Sequence, residues 1–131
     1  GRPRRVGYFD GVMLKRAVQL NGITDLIITK LDILSGEKEV KICTHYSLNN
    51  EDEQEVLEDF PLSYQLGNVR PMYETMPGWQ EDISHARSMK ELPKEAQDYC
   101  YRIFQLAKEA NPKVRMMGVG VGKDQEAFAW D

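Results

Sequence analysis

The chain is poor in the residues that cross-link, chelate or anchor a protein. It has two cysteines and two histidines in 131 residues. His45 and His85 have no cysteine or second histidine near them at ligand spacing, which argues against a zinc site. Cys43 and Cys100 sit far apart, each in an apolar-periodic segment, and read as buried free thiols of a reducing compartment rather than a disulfide. No Ser-His-Asp or Cys-His grouping can be assembled, and no phosphate loop of the form Gly, four residues, Gly-Lys-Ser/Thr occurs. Long apolar runs are missing too: none approaches the roughly 18 residues of a membrane span. The N-terminal Gly1-Arg2-Pro3-Arg4-Arg5 lacks the apolar core of a signal peptide. Nor is positive charge in excess, since the net charge is -4 and the pI near 5.3, which argues against a dedicated nucleic-acid binder. These absences leave a soluble, cytoplasmic domain with no visible catalytic group.

What is present is an ordinary globular balance, 41% hydrophobic and 29% charged. Against a typical domain of about 150 residues, the length means one domain or a piece of a larger one. Asp10 is a plausible N-cap for a helix over 11–20, with Val12, Met13, Ala17, Val18 and Leu20 inward and Lys15, Arg16 and Gln19 outward. Asn21-Gly22 stops that helix. The continuous run Leu26-Ile27-Ile28 predicts a strand over 26–31, buried on both faces. A second strand spans 39–48, with Val40, Ile42, Thr44 and Tyr46 on one face. The acidic stretch 49–59 reads as a solvated excursion, and 61–79 as a long irregular loop that is functional or packs over one edge. A helix over 93–110 buries Ala96, Tyr99, Cys100, Ile103, Leu106, Ala107 and Ala110. Two short strands, 114–121 and 127–130, close the chain. The grammar is α/β: strands flanked by two main helices, too few to make a whole sheet.

Three stretches have the chemistry to bind a ligand. Arg2, Arg4 and Arg5 crowd positive charge onto a glycine-and-proline loop. Guanidinium forks match carboxylates and phosphates, although a solvated terminus has the same composition. Such a loop is expected to be mobile alone and to order on an anionic substrate. Lys30-Leu31-Asp32 follows a strand at the end where α/β sheets place ligands. A carboxylate there can accept from guanine's N1–H and 2-amino group, donors that adenine lacks at those positions, while the Lys30 stem lies over the base. A strand-ending surface lysine and aspartate is the plainer reading. Gly118, Gly120 and Gly122 alternate and leave room for close approach by a flat ligand or a backbone.

Taken in order, the segments GRPRRVGYFD, LKRAVQLNGITDLIITKLDIL, VKIC, YETMPGW, LPxxAxxYxxRI and VGVGKDQE resemble the adenylosuccinate synthetase family. These are ligases that join IMP to L-aspartate using GTP, in AMP biosynthesis. The resemblance covers nearly all of the chain and implies the C-terminal third of such an enzyme, part of a mixed-sheet, P-loop-like ligase fold. The glycine-rich phosphate loop, the catalytic Asp and His and most of the IMP pocket would lie upstream of Gly1. So would the groups that bind Mg²⁺, leaving no catalytic or metal-binding residue in 1–131.

Residue by residue, Gly1, Arg2, Pro3 and Arg4 resemble the aspartate-binding loop, Arg2 reaching also toward IMP and Arg4 toward GTP. Lys30, Leu31 and Asp32 match the guanine-reading stretch, and Gly120, Val121 and Gly122 a second segment lining the guanine pocket. Many members have Ser-Thr-Gly-Pro where this chain has Gly-Val-Gly-Lys, so only backbone contacts carry over there. The whole enzyme is expected to be a cytoplasmic homodimer that binds neither nucleic acid nor membrane. The competing reading is a stand-alone interaction module whose basic N-terminal arm binds an acidic partner or RNA.

Overall fold

A computed structural model describes residue 3 and residues 6–49 and 54–119 of the chain. The first elements are a short strand β1 (Phe9–Asp10), helix α1 (Gly11–Asn21) and strand β2 (Asp25–Ile28). A 3₁₀ turn (Leu31–Leu34) leads into the long strand β3 (Glu39–Asn49), followed by β4 (Gln54–Leu57) and β5 (Val69–Pro77). A second 3₁₀ turn (Met89–Glu91), helix α2 (Lys94–Ala110) and strand β6 (Arg115–Val119) complete the described chain.

Strand β3 carries most of the sheet. It pairs with β5 in antiparallel fashion from Glu39↔Pro77 to Leu48↔Val69. It also takes β1 in parallel at Ile42 and Cys43 and β4 antiparallel at residues 46–49. Strands β2 and β6 form a separate parallel pair. The α/β class and the two main helices are as expected, but the described strands form two sheets.

The ends of α1 follow their local chemistry. The Asp10 carboxylate accepts from the Met13 N–H at 3.0 Å, and Gly22 ends the helix in the left-handed region at φ 60°. The other oxygen of Asp10 accepts from the Tyr46 hydroxyl at 2.5 Å, tying the cap to β3. Gly11 lies so close to its neighbours that a Cβ would stand 2.8 Å from the Cys43 carbonyl oxygen and 2.7 Å from Leu106. Helix α1 therefore rests directly on β3 and against α2.

Several expectations need correction. Met13 and Leu20 are exposed, because the buried side of α1 runs through Gly11, Val12, Leu14 and Val18 instead. Strand β2 stops at Ile28, and residue 31 already belongs to a 3₁₀ turn. Its run is not buried on both faces: Ile27 is 55% exposed, since β2 has packed core on one side and an open cleft on the other. In β3, Thr44 is only half-buried while Cys43 is buried, because a bulge between Cys43 and His45 interrupts the alternation. The regions read as loops contain β4 and β5. The β5 segment does pack over one edge, but as a regular strand whose Pro, Gly and polar content masked its pairing with β3.

Helix α2 buries Ala96, Tyr99, Cys100, Ile103, Leu106 and Ala107, with Ala110 half-buried. Arg102 bridges Glu74 of β5 at 2.9 Å and Glu109 at 3.7 Å, and Lys15 of α1 reaches Glu109 at 3.6 Å. The strand expected at 127–130 lies outside the described residues.

Both cysteines are free and buried. Burial pushes the Cys43 thiol up to about 11, helped by the neighbouring Asp10 charge, and the Cys100 thiol up to about 12. The stability that comes from burying neutral thiols is fully present below their unfolded value near 9 and is lost as pH rises through 11 and 12. The folded protein should resist thiol alkylation at about pH 8, and its denaturation midpoint should fall from about pH 9 to pH 11. Rapid alkylation of either thiol without denaturant would contradict this packing.

Candidate functional site

The site is built where β2 ends. Strand β2 runs beside β6 with Ile28 opposite Val119, so two parallel strands finish side by side. Open α/β sheets place ligands at this carboxyl end. Both segments singled out in the sequence, Lys30–Asp32 and Gly120–Gly122, follow directly in the chain from these paired strand ends.

After Ile28 the chain turns sharply. Lys30 adopts the left-handed conformation, φ 67° and ψ 31°, which among the described residues no other non-glycine adopts. Such a conformation costs a side chain about 1 kcal/mol or more and persists only where surroundings enforce it. It starts the 3₁₀ turn and leaves Lys30 exposed. Leu31, 1% exposed, is driven into the core beside Ile28 and Trp79. Asp32 follows, half-buried, its carbonyl accepting from the Ser35 N–H at 3.1 Å.

The Asp32 side chain is the unusual group. Its Oδ1 is buried and has no hydrogen-bond partner among the described residues. A buried carboxylate oxygen without a donor costs free energy, and native structures keep few of them. An acceptor held this way suits a ligand that brings its own N–H groups.

Beside the turn opens a cleft of about 730 Å³ between residues 6–9 and β2. Its walls are mostly apolar, with Phe9, Ile27 and Ile33 among them, and Lys30 and Leu31 also line it. Asp32 does not. Tyr8 stands at the same cleft, its ring edge-on to Tyr73 at 5.3 Å and the Lys41 ammonium 5.4 Å from its centroid.

The structure thus brings Lys30, Leu31 and Asp32 onto one turn. Pro3 is exposed in irregular chain ahead of β1. Gly1, Arg2, Arg4, Gly120, Val121 and Gly122 lie outside the described residues, as does the mobility expected of the arginine loop. Among the described residues no group of three or more His, Cys, Asp or Glu side chains could hold a metal ion, and no helix is long and apolar enough to cross a membrane. The residues that support the turn from outside, Gly78 and Trp79, had no role in the sequence reading. The only signal for them was their place in the YETMPGW segment.

A parallel strand pair ending in a turn, where one buried Asp32 oxygen has no partner among the described residues, gives an α/β chain with a candidate ligand site at its strand ends. Comparison with known proteins makes this particular. The family model for adenylosuccinate synthetase matches residues 1–127. An adenylosuccinate synthetase of Acidothermus cellulolyticus is 42% identical over 126 residues, 95% of this chain and 28% of that protein. One from Desulfitobacterium hafniense is 44% identical over 126 residues, with the same coverage. The fully ligated adenylosuccinate synthetase from Plasmodium falciparum superposes with a TM-score of 0.80 at 33% identity, covering 92% of this chain and 28% of that one.

The chain belongs to the adenylosuccinate synthetase family. It spans about 28% of the length of the curated relatives it matches. The reading as a stand-alone interaction module finds no support in these comparisons.

The unpartnered oxygen gives a direct test. Asp32→Ala removes a desolvated acceptor and should stabilise the ligand-free protein by about 1 kcal/mol, where most buried truncations destabilise. Thermal or denaturant unfolding would show this, and a marked loss of stability would mean that Asp32 is held by protein partners.

Proposed function

We propose that this chain is the guanine- and aspartate-binding part of an adenylosuccinate synthetase. The whole enzyme would ligate IMP and L-aspartate at the expense of GTP, giving adenylosuccinate, GDP and phosphate. In that reaction GTP phosphorylates the 6-oxygen of IMP, and the aspartate amine displaces the phosphate. The observation that carries the reading is the Asp32 carboxylate just after β2, with a buried oxygen that has no partner among the described residues, in a chain of this family.

Asp32 accepts from guanine N1–H and the 2-amino group, with the Lys30 stem over the base and the backbone of Gly120, Val121 and Gly122 lining the same pocket. Arg2 and Arg4, on the loop that includes Gly1 and Pro3, hold the aspartate carboxylates, Arg2 reaching toward IMP and Arg4 toward GTP. The magnesium ion that accompanies GTP would be bound by the rest of the enzyme. We also propose that the remainder of the enzyme fills the apolar cleft between β1 and β2 and completes the sheet, and that the enzyme works as a cytoplasmic homodimer.

Selection of guanine follows from the chemistry of the pair. Adenine presents an acceptor at N1 and no 2-amino group, so ATP would leave the carboxylate buried and unmatched. A site built to receive particular hydrogen-bond donors can reject an analogue lacking them by about 10⁴-fold.

Asp32→Asn keeps the size but turns one acceptor into a donor facing guanine's donors. In the full-length enzyme it should weaken GTP use by about 2–4 kcal/mol, one charge-assisted bond plus an unmet donor. Xanthosine triphosphate, with a carbonyl in place of the amine, should be used relatively better by the variant. The ratio of kcat/KM for the two nucleotides measures this, and an unchanged ratio would mean that Asp32 does not read the base.

Phosphoryl transfer needs positioned phosphate-binding groups, a metal and a base together. The 131-residue chain alone should therefore show no turnover with IMP, aspartate and GTP. Product formation by the purified chain would refute the assignment as part of a larger enzyme.

A further inference from the structure

Asp32 must be held accurately to read a base edge, yet its Oδ1 has no hydrogen-bond partner among the described residues. Its position is therefore set by the backbone of the turn and of residues 35–38, which join that turn to β3. Within this segment the bonds are few: Ser35 N–H to the Asp32 carbonyl at 3.1 Å and Glu37 N–H to the Leu34 carbonyl at 3.2 Å. Gly36, at φ 91°, has a conformation that side-chain-bearing residues avoid.

The rest of the restraint comes from three consecutive residues at the end of β5. The Gly36 N–H donates to the Trp79 carbonyl at 2.9 Å, and the Gly78 N–H donates to the Lys38 carbonyl at 2.9 Å. The Trp79 indole N–H donates to Ser35 Oγ at 3.3 Å, and the Gln80 amide donates to the Glu37 carbonyl at 3.0 Å. Trp79 is itself immobilised: it is 1% exposed and its ring lies 6.0 Å from that of Tyr99 on α2. Gly78 makes the approach possible. A Cβ there would sit 2.2 Å from the Glu37 carbonyl oxygen and 3.1 Å from the Glu39 nitrogen, both backbone atoms with little freedom to move.

We propose that Gly78 and Trp79 are positioning residues for nucleotide recognition: they clamp residues 35–38 to the core and so fix the Asp32 carboxylate where the purine base is read. The proposal rests on the reading of Asp32 as the guanine acceptor. Trp79 anchors the turn to α2, and Gly78 removes the one side chain that would push the two backbones apart. Their effect is felt through base selection, because a misplacement of about 1 Å in a recognition group can cost 10²-fold.

The test uses the full-length enzyme and compares GTP with inosine triphosphate, which lacks the 2-amino donor, and with xanthosine triphosphate. Gly78→Ala should raise the KM for GTP by about tenfold and shrink the preference for GTP over inosine triphosphate. The KM values for IMP and aspartate should stay unchanged. Ser35→Ala, which removes only the hydroxyl that accepts from the indole, and Trp79→Phe, which keeps an aromatic ring in the core but loses the N–H together with the five-membered ring, should move the same preference by about two- to fivefold. These milder variants carry the test if Gly78→Ala does not fold. Asp32→Asn is the reference. If it shifts the base preference while the clamp variants alter thermal stability alone, the clamp is structural and the proposal fails. If Asp32→Asn leaves the preference unchanged, the guanine reading itself fails and the proposal falls with it.

Discussion

The close approach of α1 to β3 at Gly11 is the constraint on which the rest of this structure depends. With no side chain at that position, the first turn of the helix rests on the Cys43 carbonyl and against Leu106 of α2. Asp10 reinforces the contact by capping the helix with one oxygen and receiving the Tyr46 hydroxyl with the other. Burial and this bond together push the Tyr46 hydroxyl well above the usual phenol range, so it stays a donor. Once α1 is seated, Gly22 turns the chain into β2, whose parallel partner β6 arrives from the end of α2. The two strand ends that carry the candidate site are thus placed by helix packing, without belonging to the main sheet.

The site itself combines a weakly held side chain with a firmly held backbone. Lys30 is in a left-handed conformation, Leu31 is an anchor in the core, and Asp32 has an acceptor that the described protein leaves unmatched. Each of the first and last features costs stability, and each points toward a ligand able to compensate. Sites that must recognise a polar edge commonly carry this kind of cost, because a fully satisfied carboxylate would have nothing to offer a base. The apolar cleft alongside fits the same picture. Ile27 and Ile33 line it and are exposed.

Periodicity and end signals made much of this legible. Helix α2 has an unambiguous apolar stripe, and its buried residues came out nearly as read, because a long amphipathic helix packs by its own pattern. Asp10 and Asn21-Gly22 marked both ends of α1 for the same local reason. The specific segments around Arg2, Asp32 and Trp79 carried the family resemblance, and Asp32 could be singled out because a carboxylate after an apolar strand has a defined chemistry.

What the residues determined by themselves was local: helix ends, the α/β class, the family and a carboxylate at a strand end. The tertiary structure decided what depends on partners distant in the chain. Strand β5 is hidden in sequence by its proline and glycine content and exists because β3 offers it an edge. The bulge at Thr44 and the exposure of Ile27 depend on which neighbours arrive and which do not. The clamp of Gly78 and Trp79 on residues 35–38 joins segments 40 or more positions apart, largely through main-chain groups. Backbone carbonyls and N–H groups are the same at every residue, so no pattern of side chains announces which of them will meet.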